Sequence, residues 1–107
     1  MKKTLILFFI IAVAVFICGT VGEGKAEVKK GEALFQQHCS PCHPDGGNIV
    51  NPQKTLHKKD REANGVKKAS DIVKKMRNPG PGMTKFDEAT IPDKDAKEIA
   101  GYILKTF

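Results

Sequence analysis

The chain has 107 residues, a formal net charge of +6 and 40% apolar residues. That length holds one domain. It excludes a multidomain enzyme, a polytopic membrane protein and a large dinucleotide-binding or barrel scaffold, and the apolar share excludes a disordered chain.

The first element stands apart from the domain. Met1-Lys2-Lys3 leads into an unbroken apolar run from Leu5 to Cys18. A basic start followed by a short apolar core reads as a secretory signal. The run is shorter than the roughly 20 residues of a membrane span. Gly24-Lys25-Ala26 offers a small-x-small cleavage site. The reading is therefore a signal peptide at 1–26 and one domain at 27–107. Two variants stay open. One is an uncleaved anchor. The other is lipid attachment at Cys18, although Ile17 stands where a small residue is wanted. Export places the domain in the periplasm or beyond, in an oxidising compartment.

Glu27 to His38 reads as a helix, because Val28, Gly31, Leu34, Phe35 and His38 recur at steps of three and four. Cys39 to Thr55 is rich in Pro, Gly and Asn and reads as loop with a turn or two. Leu56 to Asn64 forms a short, mostly charged helix that Asn64-Gly65 stops. Ser70 is the N-cap expected for a helix over Asp71 to Arg77, which presents Ile72, Val73 and Met76. Asn78-Pro79-Gly80-Pro81-Gly82 breaks that helix, and Met83 to Pro92 is loop. A last helix starts near Asp93 and carries the stripe Ala96, Ile99, Ala100, Ile103 and Phe107. No alternating pattern of useful length predicts a strand. The fold class is all-α, with three to four short helices and long loops. A domain of this size has little core and needs a staple, and so much loop calls for a non-peptide filling.

Charge is uneven along the chain. Lys54 to Arg77 holds nine basic residues against three acidic ones, a local excess of six. A solvated helix face is the plain account of it. A docking patch for an acidic partner is the sharper one. No aromatic residue interleaves these lysines and no nucleic-acid motif is present, so nucleic acid is not the expected partner.

Cys39-Ser40-Pro41-Cys42-His43 is C-x-x-C-H, the attachment motif of a c-type haem. Two sulfurs at this spacing form thioethers to the two vinyl groups on one porphyrin edge. The next residue, His43, is then carried under the ring and offers a nitrogen to the iron. The attached disc is also the missing staple. Three other accounts of the pair are weaker. A thioredoxin-like redox pair needs a βαβ context. A zinc site needs a second pair of ligands at suitable spacing; His38, His43 and His57 could supply one, but there is no second Cys pair. A disulfide between Cys39 and Cys42 closes a tight, strained loop.

Met76, Met83, His38 and His57 compete for the sixth iron position. Met76 shares the helical stripe with Ile72 and Val73 and reads as core. His38 adjoins Cys39 on the attachment side. His57 lies among Lys58, Lys59 and Asp60 and reads as exposed. Met83 lies in a Gly/Pro loop that reaches the second face of a disc, with Phe86 as a wall beside it, and is the favoured ligand. An apolar plug at Met83 over an open iron is the alternative. Methionine sulfur favours Fe(II) and raises the potential. An iron closed on both sides suits electron transfer rather than substrate chemistry.

These residues resemble the class I monohaem cytochromes c, and most of all the small cytochrome c6 and bacterial c-553 carriers. Gly31-x-x-x-Phe35-x-x-x-Cys39-x-x-Cys42-His43 matches the family's first helix and haem motif. Gly46-Gly47-Asn48-Ile49-Val50 and Lys54-Thr55-Leu56 are similar to the stretch that follows in the c6 branch. Met83-Thr84-Lys85-Phe86 resembles the Met-Pro-x-Phe ligand segment, with Thr84 in place of Pro. Ala100-Gly101-Tyr102-Ile103-Leu104 resembles the last helix, whose aromatic residue packs near the small Gly31. The resemblance implies a compact all-α fold around one haem c with iron, bound by Cys39, Cys42, His43 and Met83. It also implies a non-enzymatic, monomeric one-electron shuttle that works with redox proteins and meets membranes only through redox complexes or an uncleaved signal. The basic belt departs from an acidic photosynthetic carrier, so a photosystem is not carried over as partner.

Overall fold

The computed structural model describes residues 23–107. The apolar run and Cys18 lie outside them. The elements are α1 (Glu23–His38), a 3-10 turn (Pro44–Gly46), α2 (Lys58–Ala63), α3 (Ala69–Arg77) and α4 (Asp93–Thr106). Among the described residues there is no strand.

α1 starts four residues before the expected Glu27. Lys25 and Ala26 are good helix formers, so the helix extends back through them. Its inward face carries Phe35, which is 1% exposed. α2 is trimmed at both ends relative to expectation. Leu56 stays outside it because its N–H is committed to the carbonyl of Gly46, at 2.7 Å.

α3 begins at Ala69, two residues before the expected Asp71, and Ser70 is not its N-cap. Lys68 stands in that position. Asp71 does the capping instead: its carboxylate accepts the N–H groups of Lys67 at 3.0 Å and Lys68 at 3.1 Å. This satisfies donors that the helix start leaves over and puts negative charge at the positive end of the dipole. α3 buries Ile72 and Met76, as its stripe predicts.

α4 is the central element and packs on both α1 and α3. Ala96, Ile99, Ala100 and Ile103 are each 2% exposed or less. With Phe35, Ile72, Met76 and Ile91 they form the core. The α1–α4 crossing is close because Gly31 has no side chain. A Cβ there meets the carbonyl oxygen of Glu98 inside contact distance and the Cβ of Tyr102 at 3.0 Å. Lys30 bridges the same crossing to Asp95 (3.2 Å) and Glu98 (3.3 Å). At the first residue of α4, Arg77 pairs with Asp93 at 2.7 Å and donates to the carbonyl of Phe86 at 3.1 Å. That arginine ties the end of α3, the loop holding Met83 and the start of α4 into one unit.

Candidate haem site

The C-x-x-C-H segment is the direct continuation of α1. The N–H groups of Cys39 and Ser40 both donate to the carbonyl of Phe35, at 2.8 and 2.9 Å. Those of Cys42 and His43 donate to the carbonyl of Cys39, at 3.1 and 2.8 Å. The helix end and this turn fix the two sulfurs and the imidazole relative to the core. Cys39 is half-buried against the core and Cys42 is exposed. Both are free thiols. Burial pushes the Cys39 thiol up to about 11. Such burial keeps the thiol neutral rather than activating it as a nucleophile.

His43 Nδ1 lies 2.7 Å from the carbonyl oxygen of Gly47. A carbonyl only accepts, so Nδ1 carries the hydrogen. Nε2 is then the nitrogen with the free lone pair. Such a bond fixes the tautomer and ring orientation of a metal-binding histidine and raises its basicity. The Gly47 carbonyl is itself held in place, since the Gly47 N–H donates to Pro44 at 2.9 Å.

The four residues expected to compete for the second iron position lie in different surroundings. Met76 is 3% exposed and belongs to the core. The His38 ring sits edge-on to Phe86 at 6.1 Å. His57 is exposed, with its ring edge-on to Phe107 at 5.8 Å. Met83 is 37% exposed on its loop, where its N–H approaches the carbonyl of Gly80 at 3.4 Å. Phe86 is anchored beside that loop by its N–H, which donates to Met76 at 2.9 Å. Gly82 adopts φ +88°, a backbone state that L side chains rarely take. A Cβ there also comes within 2.9 Å of a Val50 methyl. The Met83 loop and the loop after the haem motif therefore touch.

The sequence reading missed Arg61. It stands in the basic segment between Asp60 and Glu62, yet only 5% of it is exposed. Flanking charges point to a solvated face, and nothing in the local sequence marks it as buried.

The family model "cytochrome C oxidase, cbb3-type, subunit III" matches residues 26–103. Cytochrome c6 of Cyanidium caldarium is 33% identical over 99 residues, covering 89% of each chain. Cytochrome c6 of Synechocystis sp. is 36% identical over 104 residues, covering 92% of this chain and 86% of the relative. The chain belongs to the class I c-type cytochromes. A solved structure of OmcF, outer membrane cytochrome F from Geobacter sulfurreducens, superposes with a TM-score of 0.70 at 51% identity. It covers 72% of this chain and 98% of that one. The all-α class I cytochrome fold expected from the sequence thus holds.

Class I cytochromes carry a covalently bound haem c with its iron, and the residues of this cytochrome fit that group. Two unpaired thiols stand at C-x-x-C spacing beside an imidazole whose Nε2 is free. Among the described residues, the large apolar side chains left most exposed are Ile49 (63%), Val50 (58%) and Met83 (37%). All three lie on the two touching loops. That is the apolar lining a porphyrin face wants. Among the same residues, no cluster of three or more His, Cys, Asp or Glu could hold a bare metal ion.

Proposed function

We propose that this cytochrome is a one-electron carrier of an extracytoplasmic electron-transport chain, with a single haem c held by Cys39, Cys42, His43 and Met83. When bound, the haem iron supplies the Fe(III)/Fe(II) couple. The observation that carries this reading is His43 oriented by Gly47 with its Nε2 free, on a segment whose following loop touches the loop that holds an exposed Met83. Cys39 and Cys42 would hold the haem through their sulfurs, and it would supply the covalent staple the small core lacks. His43 offers Nε2 and Met83 offers its thioether sulfur. Ligands taken from within the chain leave no iron position for a substrate, which supports a carrier rather than an enzyme or gas sensor. The single C-x-x-C-H motif supports one haem.

The test is potentiometric titration of the mature protein together with exposure of the reduced form to carbon monoxide. A reversible one-electron curve with no carbon monoxide adduct supports the carrier. Fast, tight carbon monoxide binding moves the open-iron reading to the front.

The proposed location is the periplasm, after removal of residues 1–26, with the mature 27–107 domain working as a monomer. Relatives support an exported protein, outer membrane cytochrome F of Geobacter sulfurreducens among them. No helix among the described residues is long and apolar enough to cross a membrane. The proposed partner is an acidic redox protein. Lys54, Lys58, Lys59, Lys67, Lys68, Lys74 and Lys75 are all exposed, and none forms an ion pair among the described residues. Such a patch speeds encounter with an acidic surface and makes the rate fall with salt. A salt-independent rate with the native partner removes the patch from this account. The match to a model described as an oxidase subunit favours a second reading, a haem subunit docked to a larger oxidoreductase. Stable co-purification with such a partner distinguishes it.

A further inference from the structure

We propose that Phe107 is a positioning residue for the iron ligand: its ring clamps the turn whose carbonyl orients His43, and so sets how basic His43 Nε2 is. The inference rests on the haem reading above and adds a residue that no part of that reading uses.

The bond from His43 Nδ1 to the Gly47 carbonyl is only as constant as the turn that presents this carbonyl. That turn is not relaxed. Asp45 has φ +52° and Gly46 has φ +77°, two successive residues in the left-handed region. A residue with a side chain stays in that region only where its surroundings hold it there. Gly46 is buried and is held on three sides. Its N–H donates to the carbonyl of His43 at 3.1 Å, and its carbonyl accepts the N–H of Leu56 at 2.7 Å. The third side is the ring of Phe107. A Cβ at Gly46 would lie 2.5 Å from ring Cδ1 and 2.7 Å from Cγ, so the bare α-carbon rests against the ring.

Phe107 is itself anchored. It follows α4 directly, and its N–H donates to the carbonyl of Ile103 at 3.1 Å. Its carbonyl accepts the N–H of Lys58, the first residue of α2, at 2.9 Å. Its ring lies 5.5 Å from that of Phe35 and 5.9 Å from that of Tyr102. Phe35 is also the residue whose carbonyl accepts the N–H groups of Cys39 and Ser40. The haem motif is therefore fixed at both ends against one side chain, through Phe35 before it and Gly46 after it. Without the ring, Gly46 loses its third support and the Gly47 carbonyl is free to draw back. A weaker bond at Nδ1 makes Nε2 a poorer donor. A poorer donor stabilises Fe(III) less, so the potential rises.

The test compares the holoprotein as wild type, Phe107→Leu, Phe107→Tyr and Gly31→Ala. Gly31→Ala strains the α1–α4 crossing without touching Gly46, so it reports loss of stability alone. Each is repeated in a His57→Asn background, because the His57 ring also packs against Phe107. Two quantities are read: the reduction potential, and the rate at which the His43 Nδ1–H exchanges with solvent in the reduced protein. Phe107→Leu is expected to raise the potential and to speed the exchange by about tenfold, the upper end for losing one hydrogen bond. Phe107→Tyr keeps the ring and stays at the wild-type values. Gly31→Ala lowers the melting temperature and moves neither quantity. Wild-type values in Phe107→Leu overturn the proposal. So do equal shifts in Phe107→Leu and Gly31→Ala, which mark stability as the cause.

A measurement on the wild type is independent of any variant's folding. Nuclear Overhauser contacts between the Phe107 ring protons and the Gly46 α-protons of the reduced holoprotein support the clamp, and their absence overturns it. A preparation lacking any c-type haem spectrum overturns the haem reading itself, and this inference with it.

Discussion

Nδ1 of His43 and the carbonyl oxygen of Gly47 lie 2.7 Å apart, which leaves Nε2 as the free nitrogen of the haem motif. The acceptor is a main-chain atom, so side-chain substitution at position 47 does not remove it. The informative variant is His43→Ala. It is expected to convert a low-spin spectrum to a high-spin one and to recover the low-spin form when imidazole is added. A low-spin spectrum that survives the substitution contradicts the role given to His43.

Gly31 sits where α1 crosses α4, and any side chain there meets the backbone carbonyl of Glu98. Backbone cannot rotate away as a side chain does, so the crossing has to open. Gly31→Val is expected to destabilise the holoprotein by about 1–3 kcal/mol, the usual range for overpacking. In a domain of this size each kcal/mol lowers the melting temperature by about 4–8 °C. An unchanged melting temperature contradicts the close crossing.

Asp71 links stability to acid. Bonds from the N–H groups of Lys67 and Lys68 hold its carboxyl below the ordinary aspartate value of 3.8. Its contribution is therefore fully present above that value and is lost as pH falls through the lower folded-state value. The melting-temperature gap between wild type and Asp71→Asn is expected to stay constant from pH 5 to 8 and to shrink below about pH 4. Both bonds run to one carboxylate oxygen, and an Asn oxygen can still accept them without the charge, so the gap is modest. A gap that widens in acid contradicts the sign.

The parts of the fold that depend on local pattern were legible in the sequence. The α4 stripe of Ala96, Ile99, Ala100 and Ile103 reads directly from its spacing and is buried as read. The spacing of Met76 from Ile72 and Val73 predicts a core residue, and it lies in the core. Ser70 has the stronger capping preference and predicts a start at Asp71, two residues later than the observed Ala69. The carboxylate of Asp71 reaches back to Lys67 and Lys68 and decides the matter. Arg61 was illegible, since its burial depends on the carbonyl of Leu56 being turned toward it, and a chain position between two acids carries no trace of that. At the site, C-x-x-C-H and Met83 were readable as residues. The contact of Val50 with the backbone at Gly82, which joins their two loops, was not. It is a tertiary contact between segments more than 30 residues apart, and neither segment has a periodicity.

The most direct test of the His43/Met83 account is the absorption spectrum of the oxidised mature protein, taken for wild type, Met83→Ala and Met76→Leu. The account predicts the weak far-red band of an iron–methionine sulfur bond in the wild type and in Met76→Leu, and its loss in Met83→Ala. A wild type without the band, or a band that survives in Met83→Ala, contradicts it.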